Sequence, residues 1–343
     1  MPAPDIHLLS VGTALPGPPV DNATLVRRLK VPAVWEQWID TFIGTHNRHF
    51  AVDLETGAVH TTLTDLGVSA STRALAAAGL DSGDIDFIVL GTASPEMLMP
   101  TTVNMIADRL GIDNVPTYQL QSGCTGAIQA LDVAQAMLTA GPARTALVIG
   151  ADSCAKHIDL SLNFESMQPS EQVNGVLFGD GAGAAVLSTR PARNSAVIRQ
   201  VYLRLVGMNR EPGQSIEWYG RADRNSDRPA VSEDYKAIEE SVPKMAVEVL
   251  HEVLDHLDWD ESDVDYLLPP QLSGRMTARI RDALELPRAQ EVSCVAETGN
   301  TGNALPFLQL ERALPRMSAG DRALAIAIES SKWIKAGIAL EKV

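Results

Sequence analysis

Cys124 stands in the run SGCTGAIQALDVAQAMLTAGP, between an apolar stretch ending at Leu120 and an alanine-rich helix that stops at Gly141-Pro142. A cysteine at a helix N-terminus meets unpaired backbone N–H groups and the positive end of the helix dipole. Both favour the thiolate, and they predict a pKa a unit or more below the ordinary value of about 8.5. Gly123 and Gly126 allow a sharp turn and a close approach of backbone to substrate. Such a thiolate is a covalent nucleophile for a carbonyl carbon. A small cysteine can also merely fill a strand–helix junction; the glycine frame and an internal repeat favour the nucleophile. Cys154 and Cys294 complete an odd, widely spaced set of three that fits neither a disulfide framework nor a zinc site, so no metal is expected. His46, His49, His157, His251 and His256 are not expected to act as bases.

The elements that position Cys124 are written twice. LAAAGLDSGDIDFIVLGTAS in the first half reads against LDHLDWDESDVDYLLPPQLS in the second: a helix, an acidic turn, Asp-x-Asp, then a continuous apolar run expected to be a buried strand opened by Asp86 or Asp265. A helix follows in each half, and then a strand leading to a glycine turn, QSGCTGAIQAL against ETGNTGNALPF. Cys124 thereby pairs with Asn300 at an offset of 176, and RTALVIGAD pairs with RALAIAIES at 178. Alternating strands and helices imply right-handed crossovers and a mostly parallel sheet in each half. The expected fold is α/β, a duplicated five-layer αβαβα arrangement with halves 1–190 and 191–343.

With 343 residues, 45% of them hydrophobic, the chain is long enough for a large core. Its net charge of −15 disfavours nucleic acid and anionic membrane as partners. The absence of a run of eighteen apolar residues, and an N-terminus without signal-peptide features, lead to the expectation of a cytoplasmic protein. No Gly-x-Gly-x-x-Gly opens a helix where dinucleotide binding needs it.

SGCTGAIQAL, FGDGAGAAVL and ETGNTGNA, in this order and spacing, resemble the ketoacyl-acyl-carrier-protein synthase III family of the thiolase superfamily, as do WEQWIDTFIGTHNRHF and SEDYKAIEESVP. The resemblance covers nearly the whole chain. It implies a thiolase-like fold, a homodimer, an acyl-cysteine on Cys124, and no bound cofactor beyond a phosphopantetheine-linked donor, acyl carrier protein or coenzyme A. It places Asn300 on the catalytic asparagine, Trp38, Ser273 and Arg275 on the pantetheine or carrier-protein side, and Met97, Leu98 and Met99 on a loop reaching the neighbouring subunit's acyl pocket. Arg275, Arg279, Arg281, Lys332 and Lys335 are candidates for a basic patch facing the carrier protein.

The resemblance breaks after Trp38, where Phe42 replaces the family's arginine and weakens the case for coenzyme A more than for a carrier protein, and at two points of the expected catalytic centre. The family's histidine, in Pro-His-Gln-Ala-Asn, corresponds to Pro270 in Pro269-Pro270-Gln271-Leu272-Ser273, and residues 261–283 contain no histidine. The family's Gly-Gly-Gly turn is Glu329-Ser330-Ser331, where Ser330 or Ser331 would supply the oxyanion-hole N–H. Losing one donor to a developing oxyanion costs about 10²–10³ in rate, which argues against decarboxylative condensation. The leading expectation is acyl transfer through Cys124 to a small-molecule amine or hydroxyl in natural-product biosynthesis. A decarboxylating or carbon–carbon-forming ketosynthase and a non-catalytic partner subunit are the alternatives.

Overall fold

The computed structural model describes residues 4–157, 164–166, 169–218 and 231–343. Among them, ten strands form two sets of five. The first set is β1 (His7–Ala14), β2 (Phe87–Thr92), β3 (Thr117–Gln121), β4 (Thr145–Ser153) and β5 (Asp180–Ser188), in the spatial order β3-β2-β4-β5-β1. The second is β6 (Ala196–Leu205), β7 (Tyr266–Leu268), β8 (Gln290–Glu291), β9 (Arg322–Glu329) and β10 (Ile334–Lys342), in the order β8-β7-β9-β10-β6. Each half therefore follows the same path: third, second, fourth, fifth, first. The two sets join where β1 meets β6 antiparallel, His7 opposite Val197 and Leu8 opposite Ala196.

In each half the second, third and fourth strands run parallel, whereas the fifth is antiparallel to the fourth and first. The sheets are thus mixed rather than mostly parallel. Between β9 and β10 the reason is connection length, because Ser330–Trp333 is too short for a crossover and forces a hairpin. β2 and β5 are buried along their whole length, as expected of strands covered on both faces.

Helices α1 (Leu63–Ala78) and α2 (Thr102–Leu110) cover the outer face of the first sheet, sharing a core with β2, β4 and β5. Helices α3 (Gly126–Ala140) and α6 (Leu305–Ala313) lie between the sheets. Helices α4 (Tyr235–Leu257) and α5 (Gly274–Leu284) cover the second sheet. Five layers result, as the repeat predicts. α3 is rich in alanine because it packs on both sheets: Ala127, Ala130 and Ala134 are fully buried.

The repeated aspartates do the same work in each half. Asp86 accepts the Arg144 and Thr145 N–H groups at 2.6 and 2.9 Å, and Asp265 accepts that of Arg322 at 2.8 Å. Each carboxylate ties the entrance of one strand to the next strand of its sheet. Outside the layers, Gln214–Ile216 pairs antiparallel with Val231–Glu233 to form a ribbon at the head of α4. No described helix is long and apolar enough to cross a membrane.

Candidate active site

The turn Ser122–Thr125 carries Cys124 from the end of β3 into the first residue of α3. Its support comes from the other half of the chain. Asn303 accepts the Ala127 N–H through Oδ1 at 2.8 Å, occupying one of the helix's unpaired donors, and its Nδ2 donates to the Ser122 carbonyl at 3.2 Å and to Asp152 Oδ2 at 2.8 Å. Asp152, on β4, is buried and also accepts the Ala93 and Asn303 N–H groups and the Thr92 and Ser94 hydroxyls. Position 126 must be glycine, because a Cβ there would lie 2.6 Å from Asn303 Oδ1.

A second carboxylate sits behind the nucleophile. Glu329, buried at the end of β9, accepts the Ser122 hydroxyl at 2.8 Å, the Thr125 hydroxyl at 2.6 Å and the Ser331 hydroxyl. Gln129 Nε2 donates to the Ser122 and Thr125 hydroxyls at 2.5 and 3.0 Å, closing the network. One side chain thus joins the nucleophile turn to the Glu329-Ser330-Ser331 turn.

This arrangement corrects the expected state of Cys124. Burial pushes its thiol up to about 12, and the carboxylates of Glu329, Asp152 and Glu233 add to the rise. Desolvation and like charge outweigh the helix N-terminus. The unacylated cysteine is therefore held as a neutral thiol.

Cys124 opens into a cavity whose empty space, open solvent included, is about 720 Å³. Asn300, Ser330 and Pro270 line it with Cys124, so the cysteine and asparagine paired by the repeat meet in one chamber. Asn300 accepts the Gly302 N–H through Oδ1 at 3.0 Å, which leaves its NH₂ end as the donor for the cavity. Pro270 presents only ring carbons, and its carbonyl already accepts the Thr277 hydroxyl at 3.0 Å. Among the described residues, no histidine lines the cavity. Ser330 lines the wall beside Cys124, while Ser331 turns its hydroxyl to Glu329.

Glu233 also lines the cavity, and sequence reading assigned it no role. Burial raises its carboxyl to about 7, against hydrogen bonds from Gln214 and Asn174 that pull it down. Its only sequence signal is its place one residue before Asp234, the N-cap of α4. Glu329 could have been linked to the nucleophile by the polar trio Ser122, Thr125 and Gln129, unusual at a buried strand–helix junction.

The remaining expected site residues lie outside the cavity lining. Trp38 packs edge-on against Trp35 at 5.1 Å, and Arg275 is exposed, its Nε donating to the Thr41 carbonyl at 2.7 Å. Ser273 is buried and caps α5 by accepting the Met276 N–H at 3.1 Å, so its hydroxyl is committed to the helix. Met97, Leu98 and Met99 are 43%, 66% and 84% exposed, on the surface of this single chain.

The five basic residues do not form an open patch. Lys335 is buried between Glu248 and Glu252, Arg279 pairs with Glu239, Arg281 with Asp282 and Glu291, and Lys332 donates to the Arg210 carbonyl. Most of their charge is answered within the fold. Among the described residues, no three His, Cys, Asp or Glu side chains are grouped so as to hold a metal ion.

Residues 118–204 match the model of 3-oxoacyl-[acyl-carrier-protein] synthase III, and residues 254–330 match that of its C-terminal domain. The chain is 32% identical to beta-ketoacyl-[acyl-carrier-protein] synthase III 3 of Streptomyces coelicolor over 93% of this chain and 92% of that one. It is 31% identical to the synthase III of Neisseria meningitidis, with 88% of each covered. Among solved structures, the tetronic acid condensing enzyme AbyA1 superposes with a TM-score of 0.95 at 58% identity, over 98% of this chain and 99% of that one. The synthase III of Pseudomonas aeruginosa superposes at 0.83 with 28% identity, 98% of each chain being covered.

Proposed function

The chain belongs to the 3-oxoacyl-[acyl-carrier-protein] synthase III family of condensing enzymes, and within it we propose a condensation through acyl-Cys124 that proceeds without decarboxylation and builds a tetronic acid ring. The observation that carries this reading is the cavity itself: Cys124 and Asn300 line it together with Pro270, the residue that the sequence resemblance matches to the family's histidine. A malonyl donor needs paired polar groups on its thioester carbonyl as carbon dioxide leaves. An acceptor whose carbon is already acidic does not.

A tetronic acid is a five-membered lactone with an enolised ketone beta to the lactone carbonyl. Condensing two thioesters to that ring requires one carbon–carbon and one carbon–oxygen bond. In the proposed sequence Cys124 takes a 2-hydroxyacyl group from a phosphopantetheine thioester, and the thiol of the donor leaves. The methylene of a 3-oxoacyl thioester, flanked by two carbonyls, then attacks the acyl-Cys124 carbonyl. The hydroxyl finally attacks the acceptor's own thioester and expels the second carrier thiol. This replaces the amine or hydroxyl acceptor expected from the sequence with a carbon acceptor, the hydroxyl being carried by the acyl group itself. The 58% identity to an enzyme named for tetronic acid condensation supports the product class.

A second copy of the chain is the proposed partner at the β3 edge. β3 ends the strand order, with Tyr118 exposed, and the apolar Met97–Met99 loop stands open to solvent in the single chain. Joining two copies there would cover both features.

The test is intact-protein mass spectrometry after mixing with a 2-hydroxyacyl thioester, followed by a chase. The expected result is an adduct on the wild type, none on Cys124→Ala, and discharge by a 3-oxoacyl thioester with no carbon dioxide released. Discharge only by a malonyl thioester, with release of carbon dioxide, would make it an ordinary ketosynthase.

A further inference from the structure

We propose that Glu233 is the general base of this cavity, taking the proton from the acceptor carbon as that carbon attacks the acyl-Cys124 carbonyl. The proposal rests on the condensing reading above. Its grounds are placement. Glu233 ends the ribbon strand Val231–Glu233, one residue before α4, and its side chain lines the chamber that holds Cys124 and Asn300. Among the described residues it is the one carboxylate in the lining, and none of those lining residues is histidine, lysine or arginine.

Its position is held from two sides. Gln214, its register partner across the ribbon, donates to Oε1, and Asn174 donates as well. Both donors are neutral, so they orient the carboxylate without neutralising it. Among the described residues of the lining, the other titratable groups are Cys124 and Tyr235, whose phenol is itself pushed up by burial and by the charges of Glu239 and Glu233. Burial, outweighing the hydrogen bonds from Gln214 and Asn174, sets the Glu233 carboxyl at about 7. A base there is ionised in useful amount at neutral pH and still strong enough to accept a proton.

The step balances within the chain. The acceptor C–H proton passes to the Glu233 carboxylate while its electron pair forms the bond to the acyl carbon. The C–S bond breaks with its pair going to Cys124 sulfur. The glutamic acid then returns the proton to sulfur, so acceptor–H and acyl-S-Cys become acyl-acceptor and Cys-SH, and Cys124 ends as the neutral thiol its surroundings favour.

The experiment separates the half-reactions by intact mass. Wild type and Glu233→Gln are acylated with a 2-hydroxyacyl N-acetylcysteamine thioester, then discharged with a 3-oxoacyl N-acetylcysteamine thioester from pH 5.5 to 9. In Glu233→Gln the ratio of discharge to acylation rate is expected to fall about 10²–10⁴-fold. The acid limb of the wild-type discharge profile, centred near pH 7, should vanish with it. An unchanged ratio, or a limb that persists in the variant, would overturn the assignment of Glu233 and leave the condensing reading standing. Wild-type protein that cannot be acylated, or cannot be discharged by the 3-oxoacyl thioester, would overturn both. Glu233→Asp, which keeps the charge but withdraws it by one methylene, is the second variant should the first not fold. It is expected to lower the same ratio at least tenfold, and an unaltered ratio overturns the assignment.

Discussion

Replacing Glu329 should make Cys124 more acidic while making the protein less stable. The carboxylate adds to the rise of the thiol pKa, and it is also the acceptor for the Ser122, Thr125 and Ser331 hydroxyls. Glu329→Gln removes the charge with little change of shape. Loss of a like charge beside a buried group moves its pKa by about one unit or more. The thiolate fraction at fixed pH then rises about tenfold per unit, and because a less basic thiolate is a weaker nucleophile the net gain in alkylation is about threefold. Glu329→Ala goes further and strands the Ser122 and Thr125 hydroxyl protons, since Gln129 can only donate to those oxygens. Each unmatched buried donor costs about 1–3 kcal/mol, so a loss of about 2–4 kcal/mol is expected, part of it offset by removing a buried charge. The assay is iodoacetamide alkylation of Cys124 followed by intact mass from pH 7 to 11, with urea unfolding alongside. An alkylation midpoint unchanged or higher in Glu329→Gln would refute the electrostatic reasoning. Unchanged stability in Glu329→Ala would refute the structural one.

Glu233→Gln should stabilise the fold at alkaline but not acid pH. The folded-state carboxyl is raised from 4.5 to about 7, so the stability linked to its protonation is full below about pH 4.5 and is lost as pH rises through 7. The variant escapes that loss, a gain on the order of 1–3 kcal/mol at pH 8 and none at pH 4.5, readable by denaturant titration at both. Asn303→Ala removes the α3 cap and one donor to buried Asp152, the side-chain amide. Its Nδ2 bond is lost but its backbone bond is kept, and about 2–4 kcal/mol of stability should go, with slower acylation of Cys124, checked by thermal melts and adduct kinetics. Asn300→Ala should slow discharge by about 10²-fold while leaving the melting temperature within a few degrees, because the amide NH₂ serves the cavity. Met99→Glu should convert a dimer to monomer in sedimentation velocity, since it sets a charge on the most exposed residue of the apolar loop.

The duplication was legible in the sequence because burial on both faces leaves a continuous apolar run, and the same aspartates, glycines and arginines recur at nearly one offset. Asp86 with Arg144 and Asp265 with Arg322 make matching bonds, and the Cys124–Asn300 pairing led directly to two walls of one cavity. Pro270, which has no proton to exchange wherever it lies, lines the same cavity. What the sequence could not hold was the sign of the electrostatics. Local reading lowers the Cys124 pKa through the helix terminus, but burial and carboxylates from distant segments raise it. Glu329 reaches Ser122 across 207 residues, Asn303 reaches Asp152 across 151, and Glu233 enters the cavity on a ribbon remote from Cys124 in sequence. In the sequence each of these glutamates is an ordinary charged residue, and the five basic residues read as a patch until the fold supplies Glu239, Glu248, Glu252 and Glu291 as partners for three of them, Arg279, Arg281 and Lys335. Periodicity is a property of neighbours along the chain, so it survives in the sequence. Desolvation and Coulomb energy depend on what surrounds a group in space, and only the packed structure decides them.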